Sequence, residues 1–126
     1  MKKILLDTSV VIDFLRRPDK ENSLFYKLAD ENLAISIITH SELYAGKSIW
    51  EKNEVRKTVE QTLSGLNIIA LTPDISQKAG YIKAHAQGIS LIDAIIAASA
   101  IINNLELATL NVKDFQGIKS LTLFSI

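Results

Sequence analysis

Four short runs in this chain are strongly apolar without alternating: Ile4-Leu5-Leu6, Leu33 to Ile38, Asn67 to Leu71 and Leu105 to Leu110. A strand with one face in water alternates apolar and polar side chains, whereas a strand covered on both faces does not need to. Between the runs, apolar residues recur at helical spacing, as in Val10, Val11, Phe14 and Leu15. Strands buried on both faces and separated by helices specify a three-layer α/β fold, a central parallel sheet packed between two helical layers. A last candidate strand at Leu121 to Phe124 brings the expected sheet to four or five strands.

Local signals place the element boundaries. The first helix stops at Arg17-Pro18, since proline neither donates to a helix nor tolerates a helical residue before it. Leu24, Phe25, Leu28 and Ala29 form a stripe that predicts a second helix over Glu21 to Glu31. Thr39 is expected to open a third helix running to about Lys47, and Val55, Val59 and Leu63, four apart, mark a fourth over Glu51 to Leu63, ended by Gly65. Thr72-Pro73-Asp74 supplies an N-cap, a first-turn proline and an acid near the positive helix end, opening a helix to about Gly88. Ser90 opens the most apolar helix, which lasts to Asn103 or Asn104.

A length of 126 residues is expected to give a single domain, residues 1–126, with its own core. The absence of cysteine excludes disulfides, thiolate zinc sites and cysteine nucleophiles, and favours a reducing cytoplasm. Fourteen Lys plus Arg against fourteen Asp plus Glu give zero net charge, so no bulk polyelectrolyte signature is present, although a local basic patch is compatible with it. The apolar start is cut by Asp7 too early for a signal peptide, and Ala94 to Ile102 falls well short of the ~20 residues that span a membrane.

In an open parallel sheet the ligand crevice lies beyond the carboxyl ends of the strands. Three acids fall there. Asp7 directly follows the first strand, Glu42 sits in the helix after the second, and Asp93 is the only charged residue between Lys83 and Glu106. Taken singly, each has a plain structural explanation: Thr39-His40-Ser41-Glu42 and Ser90-Leu91-Ile92-Asp93 both fit the capping box, and Asp7 suits an N-cap. Together they place like charges on one sheet edge, which calls for a counter-charge. Magnesium, which prefers hard oxygens and binds one or two carboxylates with several waters, suits such a site. Zinc does not, because His40 and His85 lack a short ligand spacing.

Four ordered blocks then carry a resemblance: I-L-L-D-T-S-V-V-I-D-F-L (Ile4 to Leu15), I-T-H-S-E-L-Y-A (Ile38 to Ala45), L-I-D-A-I-I-A-A (Leu91 to Ala98) and L-A-T-L-N-V-K-D-F (Leu107 to Phe115). Over nearly its whole length the chain resembles a PIN domain of the VapC group of toxins from type II toxin–antitoxin modules. The resemblance implies an endoribonuclease dependent on Mg2+ or Mn2+, acting on RNA, usually homodimeric and restrained by a cognate antitoxin protein. It makes Asp7, Glu42 and Asp93 the catalytic and metal-binding acids. The family's fourth acidic position falls on Asn111, with Asp114 following as a substitute ligand. Thr8, Ser9 and Thr109, with Asn111, are expected to hydrogen-bond around those acids, or equally to cap helices and turns.

Arg16, Arg17 and Lys20 form the densest basic cluster, and Arg16 and Arg17 are the candidates for RNA phosphates. Asp13 reads as a solvated helix residue. Trp50, Tyr44 and Phe25 are candidates for an interface or for the core, and His40 and His85 read as hydrogen-bonded fold residues. Two other functions fit less well. An aspartyl-phosphate enzyme would use Asp7 as nucleophile but normally has an acid two residues on, where this chain has Ser9. A degenerate PIN fold that binds RNA or a partner without cutting is permitted by Asn111.

Overall fold

A computed structural model describes residues 1–125. Strands β1 (Lys3–Leu6), β2 (Asn32–Ser36), β3 (Asn67–Ile69) and β4 (Glu106–Ala108) form a parallel sheet in the order β3-β2-β1-β4. Leu5 of β1 sits in register with Ala34 on one side and Leu107 on the other. Central β1 explains the unbroken apolar run, because Ile4, Leu5 and Leu6 are all fully buried. Ile4 and Leu6 pack with Val10, Val11, Leu43 and Val59 from α1 (Thr8–Arg16), α3 (Ile37–Leu43) and α5 (Asn53–Leu63). Leu5 faces the opposite layer, against Ile75, Ala79, Ile96 and Ala97 of α6 (Pro73–His85) and α7 (Leu91–Ile102). Burying each such side chain contributes roughly 1.5–3 kcal/mol, which makes β1 the spine of both cores.

Several boundaries differ from the sequence expectation for identifiable reasons. The helix expected over Glu21 to Glu31 is reduced to a 3-10 turn (Lys20–Asn22) and a short α2 (Leu24–Lys27). Ser23 takes extended backbone angles between them, accepts the Tyr26 N–H and donates to the Lys20 carbonyl, so the chain is reset there. The strand expected to reach Ile38 stops at Ser36, whose hydroxyl accepts the Ile38 N–H and starts α3 at Ile37, two residues before Thr39. That helix ends at Leu43, and α4 (Lys47–Glu51) begins after Gly46. Leu121 to Phe124 contributes one parallel bridge, Leu107 to Leu123, instead of a full fifth strand.

Helix α7 runs as expected and ends in a two-bond C-cap: Leu105 N–H reaches the Ala100 carbonyl and Asn104 N–H the Ile101 carbonyl. Asn104 adopts φ 55°, a left-handed conformation that asparagine tolerates better than most side chains. The chain thereby turns directly into β4. The short α8 (Val112–Phe115) follows and buries Phe115 against the α6–α7 layer. Among the described residues no helix is long and apolar enough to cross a membrane.

Candidate active site

Asp7 leaves β1 while still on the β1–β4 ladder, its N–H donating to the Ala108 carbonyl at 2.9 Å. It occupies the N-cap position of α1, yet its side chain makes no capping bond. Its carboxylate instead accepts two hydroxyls on one oxygen, Ser9 Oγ at 2.7 Å and Thr109 Oγ1 at 2.8 Å from Oδ2. Both hydroxyls are held in turn, Ser9 Oγ accepting the Leu110 N–H and Thr109 Oγ1 the Asn111 N–H. Backbone amides thus orient hydroxyls, and hydroxyls orient a buried carboxylate, leaving Oδ1 without a protein donor among the described residues.

Glu42 is anchored by a second relay. Thr8 Oγ1 donates to Glu42 Oε1 at 2.6 Å and lies 2.8 Å from Thr39 Oγ1. Thr8 has a single hydroxyl proton, so with an ionised Glu42 it is Thr39 that donates to Thr8. The capping-box explanation of Thr39 and Glu42 therefore fails: Ser36 caps α3, while Thr39 is fully buried inside it and Glu42 sits in its last turn. Thr39 is the contributor that local sequence patterns miss, because its partner lies 31 residues away.

The capping explanation survives only for Asp93, whose N–H donates to Ser90 Oγ at 3.1 Å. Its side chain has a different environment. Burial, then the charge of Asp7, push the Asp93 carboxyl above the ordinary aspartate range; Ser90 pulls it down, and Asp114 and Glu42 push it up further. All four acids thus act within one electrostatic field. None takes part in an ion pair among the described residues, whose salt bridges are Lys2–Glu106, Arg17–Asp13, Arg17–Asp19 and Arg56–Glu60. Nor do three Asp, Glu or His side chains close into a ready metal cage there. Magnesium does not require one, since it retains several waters and takes one or two carboxylates directly.

The sequence profile of the PIN domain matches residues 4–119. The chain belongs to the PIN domain family. Ribonuclease VapC10 of Mycobacterium tuberculosis is 35% identical over 118 residues, covering 89% of this chain and 85% of that protein. Ribonuclease VapC2 of Rickettsia felis is 32% identical over 126 residues, covering 94% of each. Among solved structures, a toxin–antitoxin complex from Klebsiella pneumoniae matches with a TM-score of 0.76 and 33% identity, covering 98% of this chain and 99% of that one. VapBC2 of Rickettsia felis, bound to a promoter DNA fragment, matches with a TM-score of 0.78 and 26% identity over 97% of each chain.

On this PIN scaffold the remaining candidates separate. Asn111 and Asp114 are both exposed at the start of α8, and the Asp114 N–H donates to the Asn111 carbonyl. Arg17 is engaged at the surface, Asp13 holding its Nε at 3.0 Å and Asp19 its Nη1 at 3.3 Å. Asp13, read as solvated, is thus an ion-pair partner. Lys20 is likewise occupied, its ammonium donating to the Phe14 and Leu15 carbonyls. Arg16 differs from both, lining a groove of about 460 Å³ with Glu42, Leu15 and Ile49. Phe25 packs against Phe14 with the rings tilted 30° and their centroids 4.6 Å apart, a packing role. Tyr44 lies between His40 and an exposed Trp50, whose indole donates to the Tyr44 carbonyl.

Proposed function

We propose that this chain is a metal-dependent endoribonuclease, the toxin of a toxin–antitoxin pair, hydrolysing RNA phosphodiester bonds. The reading is carried by the shared field of Asp7, Glu42, Asp93 and Asp114, four acids that form no salt bridge among the described residues. Magnesium, or manganese in its place, fits this set of hard oxygen donors. Asp7, through the oxygen its hydroxyl donors leave open, and Asp93 would be the principal ligands, with Glu42 acting through water. Asp114 adds charge at the rim, and Asn111 offers an amide oxygen. When bound, the metal stabilises charge on the scissile phosphate and lowers the pKa of a coordinated water.

The chain's own side chains position the reaction. Ser9 and Thr109 fix the Asp7 carboxylate, so its second oxygen keeps one direction. Thr39 and Thr8 hold Glu42 by Oε1, leaving Oε2 to orient the attacking water and accept its proton. The water oxygen bonds to phosphorus as the P–O3′ bond breaks. Solvent supplies a proton to the departing oxygen, leaving a 5′-phosphate and a 3′-hydroxyl.

Residues 1–126 act as one PIN unit, a homodimer in a reducing cytoplasm, restrained by an antitoxin. The 33% identity to a toxin–antitoxin complex over 98% of this chain supports that partner. Cleavage of a structured RNA pool in Mg2+ or Mn2+ tests the reading, beside an EDTA control and the variants Asp7→Asn and Asp93→Asn. Activity lost with chelator and with either substitution supports it. Asn111, uncharged at the position where the PIN resemblance implies an acid, favours one second reading, a PIN fold that binds RNA without cutting it. RNA binding with no cleavage in either metal, and no calorimetric signal on adding manganese, would select that reading.

A further inference from the structure

A second cleft of about 460 Å³ lies between α6 and the segment following α8, lined by Lys78, Tyr81, His85, Gly117, Lys119 and neighbouring residues. Its walls continue the acid-bearing segments: His85 ends the helix that precedes α7 and Asp93, and Gly117 follows Asp114 by three residues. Lys78, Tyr81 and His85 are spaced i, i+3 and i+7, on one face of α6. The Tyr81 and His85 rings stack with centroids 4.1 Å apart and 23° between planes, and the Lys78 ammonium sits 5.3 Å from the Tyr81 ring centre. His85 Nδ1 lies 2.8 Å from the Tyr81 carbonyl, which only accepts, so Nδ1 carries the proton and the ring is fixed in place. Tyr81 nevertheless remains 59% exposed.

The two walls of this cleft carry cations and no acid. Residues 75–92 and 115–125, which contain both walls, hold three of the chain's 14 cations and none of its 14 acids. A neutral protein with an acid-lined site needs cations elsewhere on its surface to hold a polyanion. A fixed aromatic stack flanked by two lysines matches a nucleobase with its phosphate, because any base can stack and each phosphate can take one ammonium.

We propose that this cleft is a nucleotide subsite for single-stranded RNA flanking the scissile bond, with a base against the Tyr81–His85 stack and phosphate on Lys78 and Lys119. The inference rests on the ribonuclease reading but is tested without cleavage. A short fluorescein-labelled single-stranded RNA of mixed sequence is titrated with the full chain in EDTA and followed by anisotropy. Tyr81→Leu is expected to weaken binding at least about fivefold, the lower value of one base–aromatic stack, while Tyr81→Phe stays within about twofold. Lys78→Ala with Lys119→Ala is expected to flatten the slope of log affinity against log salt by about 1.4, two phosphates' worth on a single strand.

Unchanged affinity in Tyr81→Leu overturns the subsite. So does a Tyr81→Leu protein that turns monomeric while keeping its RNA affinity, which would make this face an interface between copies. Failure of the wild type to bind RNA also overturns it, and cleavage by the same preparation in Mg2+ then shows whether the ribonuclease reading still stands.

Discussion

Replacing Thr109 by valine keeps the side chain's shape and removes one oxygen. That oxygen, which also lies 3.5 Å from Ser9 Oγ, donates to Asp7 Oδ2 at 2.8 Å and accepts the Asn111 N–H at 2.9 Å. Asn111 is exposed, so water replaces the second bond at little cost. The first has no such replacement, because Thr109 and Asp7 are only 8% and 4% exposed. A hydrogen bond to a charged group contributes about 1.5–3 kcal/mol, so Thr109→Val should cost about 2 kcal/mol of stability. For a chain of this size that is a fall of about 8 °C in Tm. Urea unfolding in metal-free buffer measures it, with Thr62→Val as control, since the Thr62 hydroxyl bonds a carbonyl on an exposed helix face. In an Asp7→Asn background the charge has gone, and the penalty should shrink by about 1 kcal/mol, a coupling within the range of contacting residues. A loss no greater than the control's, or no coupling in the cycle, would refute the idea that this hydroxyl holds the carboxylate.

Asp93→Asn should abolish cleavage yet stabilise the metal-free protein at neutral pH. Asp93 holds its proton more tightly folded than unfolded, so its ionisation opposes folding, and wild-type stability falls as pH rises from the ordinary aspartate value of 3.8 through the raised one. The stability advantage of the variant should therefore be least at acid pH and level off above that window, as urea midpoints across a pH series will show. Thr39→Val should cut cleavage about tenfold or more, the usual effect of removing a group that orients a metal-site residue, while far-ultraviolet circular dichroism stays unchanged. Manganese at a hundred times its dissociation constant should stabilise the wild type by about 2.7 kcal/mol, and Asp7→Asn much less at the same concentration, measured by thermal unfolding.

The three-layer sheet was legible because a continuous apolar run has few other uses: Ile4 to Leu6 predicted a strand buried on both faces, and β1 is that strand. Asp7 and Asp93 were legible from position, one at a strand end and one alone in an apolar helix. Apolar content was a poor guide at Ile37 and Ile38, which read as strand but begin α3, because a single serine hydroxyl at Ser36 decides where the helix starts. Thr39 and the uses of Arg16 and Arg17 could not be read locally. Thr39 depends on a partner brought up by folding, Arg16 on the groove that folding builds around it, and Arg17 on a side-chain path that reaches both nearby aspartates. The Tyr81–Lys119 cleft leaves even less trace, its two walls lying more than thirty residues apart in sequence.

The bond between Thr109 and Asp7 joins residues 102 apart, which bears on how such a protein is made. A ribosome adding about 5–20 residues per second needs roughly 5–20 seconds to travel from one to the other. During that interval β1 lacks its β4 neighbour, and the Asp7 carboxylate lacks one of its two donors. The growing chain is thus kept unfinished by its own topology until its last described sheet strand is synthesised, and the Asp7 site is completed by one of the latest segments of the fold to be made.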